Sequence, residues 1–256
     1  MTTTGAMRRP VPPGSPALVV EGLGIRFNRH RRRQMFIREL LSRGEDTTPD
    51  RSRFWALRDV SFTVAPGEAV GVVGVNGSGK STLLKLMAGV LLPDEGSVAV
   101  NGGVAPLIEI TGGFVNELTG RENIAIVAAL HGLDREQLGE RFDRIVDFSG
   151  VGDFLDTPFR HYSSGMRVRL AFSVMAHLDE PILLVDEVLA VGDKAFRARC
   201  HEKIDELLAS GRTMFLVSHS DGDLRRFCTR ALLLERGGLV LDGPVEDVIQ
   251  RYTDGE

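Results

Sequence analysis

The sequence predicts an α/β fold, a mainly parallel sheet core with an antiparallel β portion and an inserted α-helical subdomain. Three observations carry this expectation. Short apolar strands alternate with helices at both ends of the chain, the stretch from Thr119 to His177 reads as helical, and a glycine-rich turn joins an apolar strand to a helix at Gly74 to Thr82. At 256 residues the chain suits one large domain, or a core with a subdomain.

Leu18 to Gly22 is β-rich, with Ile25 to Phe27 a candidate extension. Residues 28–53 read as a basic insertion: an arginine run, a short amphipathic helix (Met35, Ile37, Leu40, Leu41) and a polar loop ending near Pro49. Val60 to Val64 alternates like a half-buried strand. Pro66-Gly67 turns into an apolar strand, Glu68 to Gly74, and a helix from Lys80 to Ala88 follows. Ser97 to Asn101 and Ala105 to Ile110 are further strands. Helical spacing then runs through Ile124 to Leu130, Leu138 to Phe148 and Val168 to Met175, which places the helical subdomain at about 115–178. Strand patterns return at Ile182 to Val185, Thr213 to Ser218, Ala231 to Leu234 and Leu239 to Leu241, with helices between and a last helix from Val245 to Tyr252. Residues 1–16, rich in Thr, Pro and Gly, are expected to be a disordered tail, leaving 17–256 as the folded domain.

Composition narrows the class. The chain is 43% hydrophobic and 26% charged, the balance of a soluble globular protein, and no apolar run approaches the roughly 20 residues that span a bilayer. The N-terminus lacks the apolar stretch of a secretory signal. Cys200 and Cys228 form no staple or C-x-x-C pattern, so each is expected as a reduced thiol. The net charge of −4 argues against a nucleic-acid partner. That charge is unevenly spread: between Arg26 and Arg53, nine arginines face four acids. A basic stretch beside an amphipathic helix suits either a solvated loop or a surface facing anionic headgroups or a lipid-linked pyrophosphate.

The chemistry begins at Gly74-Val75-Asn76-Gly77-Ser78-Gly79-Lys80-Ser81-Thr82, a G-x-x-x-x-G-K-S run between strand and helix. Glycines let the backbone curl so that successive N–H groups converge on phosphate oxygens, and the helix N-terminus adds a positive field. Lys80 is the charge clamp for the β- and γ-phosphates of ATP, and Ser81 offers its hydroxyl to Mg²⁺. The chain holds only four lysines, so one falling at this position by chance is improbable. Further on, the apolar strand Ile182 to Val185 ends in Asp186-Glu187. Asp186 can hold Mg²⁺ through water, and Glu187 can polarise the attacking water as general base. His219 follows another apolar strand and, read with Glu187, contacts the γ-phosphate.

These residues, with His161-Tyr162-Ser163-Ser164-Gly165-Met166, are where the chain resembles the nucleotide-binding subunits of ABC transporters, over about Leu18 to Tyr252. The resemblance implies a P-loop NTPase of the ABC ATPase type. It matches Ser163, Ser164 and Gly165 to the family's signature, 23 residues before Asp186, Leu189 to Asp193 to its D-loop, and His219 to its switch histidine. It further implies a head-to-tail dimer in which each ATP lies between Lys80 of one copy and Ser163 of the other. Three departures stand out: Ser164 and Met166 replace signature residues; the Gln that links nucleotide to membrane subunit is missing, with only Glu109 in its place as a candidate Mg²⁺ ligand; and the adenine-stacking aromatic is Phe27 or, displaced by the insertion, Trp55, unless these rings serve core packing. The runs at Phe54 to Phe62, Gly113 to Asn123, Tyr162 to Met166 and Val185 to Asp193 are similar to ATPases that export O-antigen, teichoic acid and galactan. That branch implies a peripheral protein on the cytoplasmic face of the membrane, a permease partner, and a polysaccharide or lipid-linked glycan selected by that partner. The other readings are an ABC exporter for drugs or lipids, a soluble ABC ATPase and a degenerate binding module.

Overall fold

The computed structural model describes residues 14–28, 53–108, 111–186 and 193–255. Two sheets form its frame. The first is antiparallel and three-stranded, in the order β2-β1-β4, from β1 (Leu18–Asn28), β2 (Arg53–Val64) and β4 (Glu95–Val100). The second has six strands: β5 (Val104–Leu107), β6 (Ile182–Asp186), β7 (Thr213–Val217), β3 (Ala69–Val73), β8 (Arg230–Glu235) and β9 (Gly238–Pro244), in that spatial order. Its pairs are parallel except for β8 with β9.

Strands buried on both faces read as unbroken apolar runs, and β6 and β7 show it: Ile182 to Val185 and Thr213 to Val217 are all buried. Alternate side chains nevertheless enter different cores. Val70, Val72, Leu184, Phe215, Val217 and Leu232 join the antiparallel sheet and α1 (Lys80–Met87) in one core. Val73, Leu183, Val185, Met214, Leu216 and Leu233 join the helices of the opposite face in the other. Those helices are α2 (Gly120–Leu130), α3 (Arg135–Ser149), α4 (Ser164–Ala176), α5 (Lys194–Ala209), α6 (Asp221–Phe227) and α7 (Val245–Thr253). The period-two pattern of the sheet therefore assigns α1 and α4 to opposite sides.

The helical lobe is α2, α3 and α4. Capping boxes start α2, from Thr119 to Glu122, and α3, from Asp134 to Gln137; Gly150 ends α3 at φ 62°. Asn123 is fully buried, and no sequence pattern singled it out. Its Oδ1 accepts from Val115 N at 2.6 Å, and its Nδ2 donates to the carbonyls of Val115, Leu118 and Thr119 at 2.9–3.2 Å. One amide thus satisfies a loop that would otherwise bury orphaned backbone groups.

Strand ends shift by up to three residues in β4, β5 and β9, and the largest difference from expectation is in β2. Strand β2 begins at Arg53 rather than Val60, so Asn28 and Arg53, assigned to the insertion from sequence, instead pair across β1 and β2. Register shifts in β1–β2 and a positive φ of 53° at Asp59 break the alternation that would have revealed this half of the strand. At the N-terminal end, Pro16 O accepts from Asn101 Nδ2 at 2.6 Å, which ties down the last residue of the expected tail. Residues 1–13, the arginine-rich segment 29–52, Glu109, Glu187 and Leu189 to Gly192 lie outside the described residues.

Candidate functional site

The parallel register gathers the candidate residues. Val72 of β3, Val217 of β7 and Asp186 of β6 lie in one row across three adjacent strands. The phosphate loop begins two residues beyond Val72 and His219 stands two beyond Val217, so Gly74, Asp186 and His219 share the carboxyl edge of the sheet. In open α/β sheets that edge is where ligands bind.

The loop 74–79 is closed by contacts that exclude side chains. Gly74, Gly77 and Gly79 have φ of 150°, 83° and 110°. A Cβ on Gly74 would stand 2.3 Å from Leu234 O, and one on Gly79 would stand 2.6 Å from Leu57 Cδ2 and 2.7 Å from Ala56 O. The β8–β9 turn braces the loop from outside, with Gly237 N donating to Ser78 O at 3.1 Å. Strands β2, β3 and β8 thus hold the loop in a form that only glycine adopts at these positions.

The result fits a polyphosphate. Helix α1 starts at Gly79 with no side-chain cap and no acid in its first turn, so its amides and dipole face outward. Val75, Asn76, Gly77 and Ser81 are exposed on the rim. The Ser78 hydroxyl is buried without a hydrogen-bond partner among the described residues, a group that a ligand oxygen can satisfy. Lys80 is buried, and its Nζ donates to Gly74 O at 2.6 Å and Val75 O at 3.2 Å, so the ammonium lies folded back across its own loop. Ser81 on the first turn and Asp186 on the neighbouring edge supply two oxygens, which suits Mg²⁺, a cation held mainly by phosphates and water.

His219 is exposed on a turn braced by its neighbours: Ser218 Oγ accepts from Ser220 N at 3.0 Å, and Ser220 Oγ accepts from Asp223 N at 3.2 Å. Asp193 caps α5 by accepting from Phe196 N at 2.8 Å, a structural task the sequence reading did not assign it.

A second helix start is built differently. Ser163 caps α4, its hydroxyl accepting from Met166 N at 3.2 Å, and again no acid occupies the first turn. Ser163 and Ser164 are exposed, and a Cβ added at Gly165 would meet nothing within 4 Å. The lobe holds this turn from beneath: Tyr162 donates to Phe154 O at 2.7 Å, and Arg167 donates to Tyr162 O and Arg160 O.

Of the two aromatics weighed for the base, Trp55 is engaged elsewhere. The Arg26 and Arg58 guanidiniums lie over its ring at 4.9 and 5.3 Å, and the ring packs against Gly24. Phe27 is exposed. Both cysteines are buried and unbridged, and burial pushes each thiol up to about 12, which leaves them without a chemical role at neutral pH.

Comparison with known proteins agrees with this architecture. Residues 57–190 match the family model described as ABC transporter. The chain is 48% identical over 200 residues to an O-antigen export system ATP-binding protein of Klebsiella pneumoniae, covering 78% of this chain and 81% of that one. It is 47% identical over 199 residues to an ABC transporter protein of Aeromonas salmonicida and 43% identical over 201 residues to a teichoic acids export ATP-binding protein of Listeria monocytogenes. Each of these matches takes in 78% of this chain, and the matched spans are 65% and 60% of the two relatives, under two thirds of their length. An ATP-binding subunit of an ABC transporter superposes with TM-score 0.73 at 24% identity, covering 93% of both chains. A dimeric ATP-binding cassette in a post-hydrolysis state with ADP and Pi superposes with TM-score 0.70 at 18% identity, covering 89% of this chain and 98% of that one.

The fold and its phosphate loop define a nucleotide-binding ATPase cassette. The chain belongs to the ABC transporter family.

Proposed function

We propose that this chain hydrolyses ATP to drive export of a polysaccharide or lipid-linked glycan, acting as a head-to-tail pair on the cytoplasmic face of a membrane permease. One observation carries the pairing: two helix starts without acids, at Gly79 and Ser163, belong to helices on opposite faces of one sheet. A single copy cannot aim both at one triphosphate. Two copies placed head to tail can, each closing the other's site.

Within that arrangement the residues take distinct tasks. Lys80 turns from its own loop carbonyls to the β- and γ-phosphates, exchanging two neutral acceptors for charged ones. Ser81 and Asp186 hold Mg²⁺, which supplies neutralisation of charge on the transferring phosphate. Glu187 acts as general base for the attacking water, and His219 holds the γ-phosphate side of that water. Glu109, placed by resemblance where the Gln that links nucleotide to membrane subunit falls, would be a further metal ligand. Ser163, Ser164 and Gly165 of the second copy present amides and a hydroxyl to the γ-phosphate, with Asp193 beside them.

The glycan reading comes from relatives whose names specify O-antigen and teichoic acid export. Exposed Val115, Ile126 and Leu130 on the lobe suit contact with a membrane subunit, and among the described residues no helix is long and apolar enough to cross a membrane itself.

Pairing is tested by cysteines at Asn76 and Ser163 in a Glu187→Gln background. ATP should produce intermolecular crosslinks; exclusively monomeric product in the ATP-loaded protein rejects the paired site. The glycan is tested by deleting the gene and following surface glycan, which should fall while lipid-linked glycan accumulates inside.

A further inference from the structure

We propose that His201 of α5 is a positioning residue for His219: through the Asp223 carboxylate it fixes the first turn of α6, and with it the short link that carries His219. The inference rests on the reading that His219 acts at the γ-phosphate. Ser218, His219 and Ser220 are the whole connection between β7 and α6. Ser218 is buried, its Oγ accepts from Ser220 N at 3.0 Å, and Ser220 Oγ accepts from Asp223 N at 3.2 Å. A link so short and so bonded has little freedom of its own. The direction of His219 is set by where β7 ends and where α6 begins.

Strand β7 is buried throughout and paired on both sides, with β6 and with β3, so the sheet fixes that end. Helix α6 is the adjustable end. It has seven residues, too few to hold a helix by themselves, and its buried side chains are Leu224 and Phe227. Two apolar anchors leave the roll of the helix open, because neither is directional. Polar contacts with α5 close it. His201 Nε2 stands 3.4 Å from Asp223 Oδ1, and about one turn further along both helices Arg226 donates to Asp205 at 2.5 Å. The His201 ring also meets the Phe227 ring nearly at a right angle, at 81° with centroids 5.4 Å apart.

The two polar contacts are not equivalent. The Arg226 and Asp205 side chains are nearly half exposed, where water and salt weaken an ion pair. Those of His201 and Asp223 are 23% and 18% exposed, so their attraction is screened less. The carboxylate also favours the form of the imidazole that carries a proton on Nε2, the nitrogen turned toward it. Position decides the rest. Arg226 acts at the far end of α6, whereas Asp223 is the residue whose amide Ser220 caps, in the turn that follows His219. The grip of His201 therefore reaches the link directly.

The test is steady-state ATP hydrolysis by the full chain. His201→Ala and Asp223→Asn should each lower kcat about tenfold, with KM for ATP within about twofold of wild type. Asp223→Asn keeps the backbone N–H that Ser220 caps, so its loss reports the carboxylate alone. His201→Gln places an amide nitrogen where Nε2 stands and should keep kcat within about twofold of wild type. His201→Phe keeps a ring against Phe227 without a nitrogen and should lose as much as His201→Ala. Wild-type kcat in His201→Ala overturns the proposal. So does wild-type kcat in His201→Phe, which would reduce His201 to packing, or a loss in His201→Gln as large as in His201→Ala. A rise in KM that parallels the fall in kcat also overturns it, since that marks a general disturbance of the fold. Failure of the underlying reading looks different: His219→Ala would then hydrolyse ATP at the wild-type rate.

Discussion

Two helix starts, at Gly79 and at Ser163, use the same physics with opposite degrees of enclosure. The turn before α1 is locked from three sides: Leu234 O lies against Gly74, and Leu57 and Ala56 lie against Gly79. The turn before α4 is held from beneath by Tyr162 and Arg167, but among the described residues nothing stands within 4 Å of where a Gly165 side chain would project. The first site is complete within one chain. The second is an open surface, and nothing among the described residues requires its glycine to be one.

That contrast can be broken by substitution. Gly79→Ala forces a Cβ onto φ 110° and into contacts below 3 Å with Leu57 and Ala56, so it should cost about 3 kcal/mol or more in denaturant unfolding and abolish ATP binding. Gly165→Ala should do the reverse. Its backbone is ordinary helix, where alanine is favoured by roughly 0.5–1 kcal/mol, so thermal melting should rise by about 2–4 °C while ATP binding to the single chain is kept. Steady-state hydrolysis should nevertheless fall about tenfold or more, because in the proposed pair the added methyl meets the phosphate bound by the other copy. Full turnover in Gly165→Ala would remove the distinction between a closed and an open site.

Smaller effects sharpen it. Asn123→Ala strands the buried amides and carbonyls of the 115–119 loop and should destabilise the lobe by about 2–3 kcal/mol, read as early loss of hydrogen-exchange protection in α2 with the phosphate loop unaffected. At the low end lies His177. Burial, with Lys203 and Arg144 nearby, holds its pKa below the usual histidine value despite the bond to Ser173 O. The unfolded chain therefore takes up this proton before the native one does. Stability contributed by neutral His177 is present above about pH 6.5 and declines as the pH falls below that value, so His177→Asn should flatten the decline in melting temperature between pH 6.5 and 5.

The legible parts were the local ones. Gly74 to Thr82 could be read as a turn between strand and helix because its glycines, lysine and serine fall within nine consecutive residues, and β6 and β7 could be read because burial on both faces leaves an unbroken apolar run. Strand β2 was half missed, since the bulges that let it follow β1 destroy the period by which strands are recognised. Phe54 was passed over for a related reason. Its partner Phe27 is 27 residues away in sequence, and only the register across the two strands makes the two rings neighbours. Arg230 shows the same dependence: its guanidinium, held strongly charged by Asp242 and then Glu68, ties β8, β9 and the start of β3 together through residues with no common motif.

Composition and spacing alone were enough for the α/β class and for the glycine-rich turn between β3 and α1, because each is written in short-range pattern. The assignment of α1 and α4 to opposite faces, the burial of Asn123 and the pairing of Phe27 with Phe54 needed the folded chain. They depend on which side of a strand a residue occupies, and a single-residue change of register reverses that side while leaving the sequence untouched.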